Sequence, residues 1–423
     1  MSKTLHSVKT RRVKEDIEKI ATFINEQNTG WTRRPFTKEY AEARSWLREK
    51  MESIGLETYI DAASNLIGRL QGSSPDLPPL VIGSHTDTVS GGGRFDGIAG
   101  VIGGLEVVRV LQEKGISLHH PLEIVDFTAE EPSEFGISTI GSRGMVNNLT
   151  EEMLERADPD GKKLKEGIKE AGGRPERISA EARKKGDIAF YLEMHIEQGP
   201  VLEQKKATVG IVTGIAGIHR YRVKIKGSPG HAGTTPMKYR KDALQFASEL
   251  TLLFDEYCKK EWEEDVVGTI GRFDVNPNAS NVIPGEVVFD IDTRSLSTSV
   301  LEEMMSLYKR EALDIADQKN MSLSFDTLSK SASIKIDPDV VSMMEEAAQK
   351  SVHTHRLPSG AGHDANQMAE IGTSAMVFIP SKDGRSHCPE EWTDYEDVAA
   401  GIQSMVQIIL RLDKSQEEAP EKR

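Results

Sequence analysis

The chain has 423 residues, more than one ordinary hydrophobic core accommodates, so two domains are expected. It carries 67 Asp and Glu against 53 Lys and Arg, a formal net charge of −14, which disfavours nucleic acid and anionic membranes as partners. Hydrophobic residues at 37% and charged residues at 28% argue against disorder, and no apolar run approaches the roughly 20 residues of a membrane span.

The basic N-terminal stretch lacks an apolar signal core, and two cysteines, Cys258 and Cys388, give no disulfide framework, so a reducing cytoplasm is expected. SVKTRRVKEDIEKIATFINE (7–26) and TKEYAEARSWLREKMESIG (37–55) read as amphipathic helices. ETYIDAASNLIGRLQG (57–72) reads as short strands with a turn at Ala63–Ser64–Asn65, and LVIGS (80–84) as a buried strand. IAGVIGGLEVVRVLQEKG reads as a core helix ending at Gly115. HPLEIVDFTAEE and IAFYLEMHIEQG are two more strands, and all three strands end in His, Asp or Glu. Ligand sites of α/β sheets lie at such carboxyl ends.

From Gly214 the pattern changes. In IHRYRVKIKG, His219, Tyr221, Val223 and Ile225 alternate with four basic residues, the mark of a half-buried antiparallel strand. A helix (241–260), strands (266–275, 285–295), a second helix (299–320) and a strand (321–329) complete a βαββαβ order resembling a ferredoxin-like module. Helix and strand resume near Asp337, with AMVFIP as a late strand and 394–412 as a closing helix, and KSQEEAPEKR reads as a frayed end. The expected architecture is α/β: a mixed-sheet domain (1–213 and 332–423) with an inserted α+β domain (214–331).

Four clusters at strand ends carry candidate metal ligands: His85 with Asp87 and Asp96, Glu130–Glu131, His195, and His387 in SKDGRSHCPEEW. Two histidines, a carboxylate and open coordination positions suit a catalytic zinc-type site. A second ion about 3.5–4 Å away needs a shared ligand, and a carboxylate can bridge where a neutral imidazole cannot. Asp96 is the better bridge, because Gly91, Gly92, Gly93 and Gly97 free the backbone to turn its carboxylate inward. Asp87, two residues after His85 on extended chain, is placed to accept the imidazole's other N–H. Glu130 and Glu131 point to opposite sides of an extended segment, so one would ligate and the other act as general base. Blander readings compete: single histidines are commonly structural, adjacent glutamates commonly a solvated charge run, and Cys388 commonly a small buried residue.

HTDTVSGGGRFDGIAGV, FTAEEPSEFGISTIGSRGM, MHIEQGPVLE, GSPGHAGTTPMKYRKDA, NVIPGEVVFDIDTRS, GAGHDANQMA and SKDGRSHCPEE together resemble the dinuclear metal aminoacylase and exopeptidase superfamily. More closely they resemble its hydantoinase/carbamoylase branch, which takes in N-carbamoyl-L-amino-acid amidohydrolases, β-ureidopropionases and allantoate amidohydrolases. The resemblance spans roughly residues 10–412. It implies two divalent ions per subunit (Zn²⁺, or Mn²⁺, Co²⁺ or Ni²⁺) held by His85, Asp96, Glu131, His195 and His387, with Asp96 bridging. Glu130 would be the general base, Asp87 the residue orienting His85, and His231 an oxyanion donor reaching the other subunit of a homodimer through a lid domain. Arg294 would clamp the substrate carboxylate, and Gln198, His219, Asn281 and Gly362 would complete a site for a small ureido or N-acyl amino acid. Many peptidase relatives use a carboxylate where this chain has His195, so the resemblance favours the carbamoylase branch. Two local alternatives stand beside it: Arg294 could pair with Asp292 on the same strand face, and His219 could face the packed side of its sheet.

Overall fold

The computed structural model describes residues 8–415, so the tail from Gln416 on lies outside the described residues. The chain divides into two compact units. One comprises the residues up to Thr213, Ile336–Leu357 and those from His363 on; the other comprises Gly214–Lys335 with Pro358–Gly362. The return to the first unit falls at 336 rather than 332. Ile334 and Lys335 pair antiparallel with Ile215 and Gly214, which holds them in the second unit. Residues 358–362 join it because Ser359 O accepts from Ala216 N and Gly360 O accepts from Arg294 Nη1.

The first unit is built on a mixed sheet in the order Glu57–Ile60, Leu66–Leu70, Leu122–Phe127, Leu80–His85, Phe190–Ile196, Ser374–Ile379, Val209–Ile215. The strands from Leu122–Phe127 through Ser374–Ile379 run parallel. Parallel strands covered on both faces read as continuous apolar runs, and every residue of these four is buried. The helix Ile98–Glu113 is apolar nearly all round, and it is buried from Ile98 to Leu111. Its buried Glu106 is gripped through both carboxylate oxygens by Arg12, each at 2.7 Å. Arg12 lies on the helix Thr10–Ile20, whose buried Val13, Asp16, Ile17 and Ile20 follow the helical period. That helix stops well short of residue 26, and Arg33 Nη1 donates to the carbonyls of Ile20 and Phe23.

Between 140 and 181 lie only short helices (Ile140–Met145, Glu151–Leu154, Leu164–Glu170, Ile178–Glu181), too brief to show a period in sequence. They surround a separate apolar cluster that includes Phe135, Ile140, Leu164 and Ile168.

The second unit has the sheet order Ser322–Ser331, Gly217–Lys226, Glu286–Ser295, Val267–Asn276, all antiparallel, with the helices Ala243–Lys259 and Thr298–Gln318. Counted along the chain this is 4-1-3-2, the ferredoxin-like order. Tyr221, Val223, Ile225, Val287, Phe289 and Ile291 pack with Phe246, Leu250 and Tyr308 from the helices. The opposite strand face is not a free basic patch. Arg220 meets Asp292 at 2.7 Å, Arg222 meets Asp290 at 2.8 Å, and Lys224 meets Asp326 at 2.7 Å.

Candidate metal centre

The carboxyl ends of the parallel strands converge on one point. His85 is the last residue of its strand and His195 the penultimate residue of another. Glu130 and Glu131 follow Leu122–Phe127 through Ala129, whose φ is +53°. His387 lies on the loop after Ser374–Ile379, at φ +57°, and Gln198 has φ +57° too. Left-handed backbone at non-glycine residues costs of order 1 kcal/mol or more each, and such residues gather at functional sites. Asp96 stands one residue before Gly97, the N-cap of the helix Ile98–Glu113, where the partial positive charge of a helix N-terminus favours a carboxylate.

Two groups result, each with ligand atoms within 4.8 Å of one another: His85, Asp96 and His195, then Asp96, Glu131 and His387. Asp96 belongs to both. Its Oδ1 lies 3.0 Å from His195 Nε2 and 3.5 Å from His85 Nε2, while its Oδ2 lies 3.2 Å from His387 Nε2. Glu131 Oε1 is 3.1 Å from the same His387 nitrogen. The donor set of three imidazoles and two carboxylates, with one carboxylate oxygen facing each group, fits divalent cations bound by nitrogen and oxygen.

Electrostatics agree with a cation site. Hydrogen bonds to the Asp96 and Glu131 carboxylates push His387 up to about 11. His85 is raised despite its burial by Asp96, Glu130 and Asp87 around it. Asp96, although buried, is held well below the usual carboxylate range by His195, His387 and His85. Glu130 is pushed well above that range by burial and by the charges of Asp364, Glu131 and Asp87. A raised carboxyl in this setting suits a group that must accept and return a proton. Its Oε2 lies 3.6 Å from His85 Nε2.

Asp87 is placed differently from the sequence expectation. His85 Nδ1 meets Asp87's own carbonyl oxygen at 3.0 Å, while the carboxylate stands 3.6 Å away. The carboxylate instead accepts the backbone N–H groups of Glu130 and Glu131, both at 3.1 Å. It therefore fixes the two glutamates as well as flanking His85. Burial pushes it up to about 6.

The glycines act mainly as clearance. Gly91 and Gly97 have φ of +69° and +66°, but Gly92 and Gly93 do not need positive φ. A Cβ at Gly97 would lie 2.4 Å from His85 Nε2, and one at Gly93 would lie 2.1 Å from the Glu391 carboxylate.

Gln198 joins this centre: its Nε2 donates to Asp96 Oδ2 at 2.8 Å and lies 3.3 Å from His387 Nε2. His231, Asn281, Arg294 and Gly362 belong to the second unit, as does His219. Asn281 O accepts from Ala232 N, which sets Asn281 beside His231. His231 is exposed, and its Nδ1 accepts from Gly233 N at 3.0 Å and from Thr234 N at 3.3 Å, which leaves the neutral ring's proton on Nε2. Arg294 does pair with Asp292, through Nε at 2.8 Å and Nη2 at 3.3 Å, and Nη1 donates to Gly360 O at 2.8 Å. Three of a guanidinium's five N–H donors are thus committed and two remain. Gly362 approaches Ile218, whose Cδ1 would lie 3.8 Å from an added Cβ. His219 is a correction to the sequence expectation. It is 1% exposed, on the face that packs against the helices, with its ring edge-on to Tyr221, so it is not offered to a ligand.

Sequence reasoning missed several groups around the ligands. Glu391 accepts from Phe95 N at 2.9 Å and Asp96 N at 3.1 Å. Ser386 Oγ lies 2.9 Å from Asp96 Oδ2 and 3.0 Å from Glu391 Oε2. Glu193 accepts from Tyr191 OH and Ala365 N, both at 3.0 Å, and Asp364 accepts from Ser142 Oγ at 2.5 Å. Ser386 and Glu391 flank His387 in SKDGRSHCPEE, so the motif carried them without revealing their role. Cys388 lies beside it and is a free thiol.

Parallel strands ending in two carboxylate-linked ligand groups define a metal-dependent hydrolase of the α/β class. The chain belongs to peptidase family M20/M25/M40, whose sequence profile matches residues 81–411. It is 40% identical over 385 residues to an N-carbamoyl-L-amino acid amidohydrolase from Geobacillus stearothermophilus, covering 90% of this chain and 93% of the relative. It is 34% identical to an allantoate amidohydrolase from Bacillus subtilis, covering 97% of this chain and all of the relative. Among solved structures it is similar to a hydantoinase/carbamoylase family amidase from Burkholderia multivorans, with a TM-score of 0.89, 32% identity and coverage of 96% and 98%. Among the described residues no helix is long and apolar enough to cross a membrane.

Proposed function

We propose that the protein hydrolyses N-carbamoyl-L-amino acids to the free amino acid, ammonia and carbon dioxide. One observation carries the reaction type: two ligand groups share Asp96, and Glu130, a carboxylate outside both groups, stands 3.6 Å from His85. The substrate class follows from the 40% identical relative and from His195 and Gln198 beside Asp96.

Divalent ions held by His85, Asp96, Glu131, His195 and His387 would polarise the ureido carbonyl and acidify the attacking water. Glu130 takes the proton of that water and delivers it to the leaving nitrogen, so one carboxyl serves as base and then acid. Asp87 holds Glu130 at that station through its backbone N–H. The residues 214–335 with 358–362 act as a lid and dimerisation element. The partner subunit's His231 donates from Nε2 to the developing oxyanion, a donor worth about 10²–10³ in rate. Arg294 grips the substrate carboxylate with its two remaining N–H donors, and Asn281, Gly362 and Gln198 meet the other polar atoms.

A second reading, allantoate hydrolysis, is supported by the Bacillus subtilis relative, because allantoate also presents a ureido group and a carboxylate. An N-acyl-amino-acid hydrolase or dipeptidase is the third. The test is ammonia release from metal-stripped protein reloaded with Zn²⁺, Mn²⁺, Co²⁺ or Ni²⁺ in turn. Substrates are a panel of N-carbamoyl-L-amino acids, N-carbamoyl-β-alanine, allantoate and N-acetyl amino acids. Ammonia from the carbamoyl amino acids is expected. Deacylation of the N-acetyl amino acids with no ammonia from any ureido compound would overturn the reading.

A further inference from the structure

We propose that Glu391 is a positioning residue for Asp96, fixing the backbone that carries it, with the single hydroxyl proton of Ser386 placed between the two carboxylates. The proposal rests on the reading of Asp96 as the ligand shared between two metal ions.

Glu391 is 2% exposed and 295 residues from Asp96 in sequence. One carboxylate oxygen, Oε1, accepts both Phe95 N and Asp96 N, at 2.9 and 3.1 Å. That pins the two successive peptide units that lead into Asp96. The other oxygen, Oε2, lies 3.0 Å from Ser386 Oγ, which lies 2.9 Å from Asp96 Oδ2. Ser386 and Glu391 sit on the loop that carries His387, so the bonds also tie the two halves of the Asp96–Glu131–His387 group together.

The space is made for this residue. A Cβ on Gly93 would lie 2.1 Å from Glu391 Cδ and Oε1 and 2.4 Å from its Cβ, so even an alanine there would have to expel the carboxylate. Burying a second carboxylate beside Asp96 costs energy unless a cation offsets both charges. The Phe95 and Asp96 amides alone would be satisfied by a neutral acceptor. Residues that orient ligands from behind typically change metal affinity 10- to 100-fold when removed.

The experiment uses the full-length chain, stripped with a chelator and titrated with Co²⁺ by calorimetry and by visible absorption, together with melting of the metal-free proteins. Glu391→Ala is expected to weaken Co²⁺ binding by about 10- to 100-fold and to alter the Co²⁺ spectrum. Glu391→Gln, whose amide oxygen still accepts both N–H groups, is expected within about tenfold of wild type. Gly93→Ala should reproduce Glu391→Ala without touching the glutamate. Gly93→Ala combined with Glu391→Gly should be no worse than Glu391→Gly alone, since that change also removes the Cβ that would stand 2.4 Å from the added methyl. Should Glu391→Ala fail to fold, Gly93→Ala and Glu391→Gln carry the comparison. Folded Glu391→Ala and Gly93→Ala proteins that bind Co²⁺ like wild type, while Asp96→Asn does not, would overturn the positioning role. A lower metal-free melting temperature with unchanged Co²⁺ affinity would overturn it too. Wild type that binds no Co²⁺, or Asp96→Asn that binds it normally, would instead remove the metal reading on which the proposal rests.

Discussion

Gly97→Ala is a one-methyl perturbation whose effect on the metal centre follows from two distances and one angle. The residue has φ +66°, where an L side chain costs about 1–2 kcal/mol. Its new Cβ would lie 2.4 Å from His85 Nε2 and 2.5 Å from both adjacent ring carbons. Ordinary contact begins near 3.5 Å, so the ring must withdraw by about 1 Å. A ligand nitrogen works within about 0.2 Å of its metal distance, so a shift of this size takes His85 out of coordination. The group Asp96–Glu131–His387 does not contain His85 and is left in place. Calorimetric titration with Co²⁺ or Zn²⁺ should therefore show one of two binding events lost or weakened at least 10- to 100-fold, with the other retained. The metal-free protein should lose only about 1–3 kcal/mol in urea unfolding. Two undiminished binding events in a folded Gly97→Ala protein would refute the reasoning.

Glu130→Gln should keep its metal content and melting temperature yet lose about 10²–10⁴ in kcat, since the amide can neither take nor return the proton; turnover at the wild-type rate would contradict the base assignment. Mixing and refolding the separately inactive Glu130→Gln and His231→Ala chains should recover about a quarter of wild-type activity if the partner subunit's His231 completes each site, and none if it acts within its own chain. Metal affinity should rise with pH between about 6 and about 8, because His387, raised to about 11 in the ion-free protein, must lose its proton before it can ligate. Equal Co²⁺ affinity at both ends of that range would argue against His387 as a ligand.

Much of the fold was legible because it rests on local pattern. Continuous apolar runs marked the buried parallel strands, and strict alternation marked Gly217–Lys226 as the first strand of a different kind of sheet. The five candidate ligands, expected from their clusters near strand ends and from the family resemblance, come together in two groups that share Asp96. The short helices of 140–181 were not legible, since four to seven residues carry no readable period.

What the sequence by itself determined is the set of chemical groups and the strand ends that bear them. Tertiary structure decided everything that depends on which side of a side chain is already occupied. Asp87 turns its carboxylate to two backbone amides rather than to an imidazole, Gly93 leaves room for Glu391, and Gly97 supplies both a positive φ and room for His85. His219 is spent on a packed core, and three donors of Arg294 are taken within its own unit. Glu391 meets Asp96 across 295 residues of chain. Period and composition report a residue's local geometry, whereas a hydrogen bond or steric contact between distant segments exists only once the whole chain has closed.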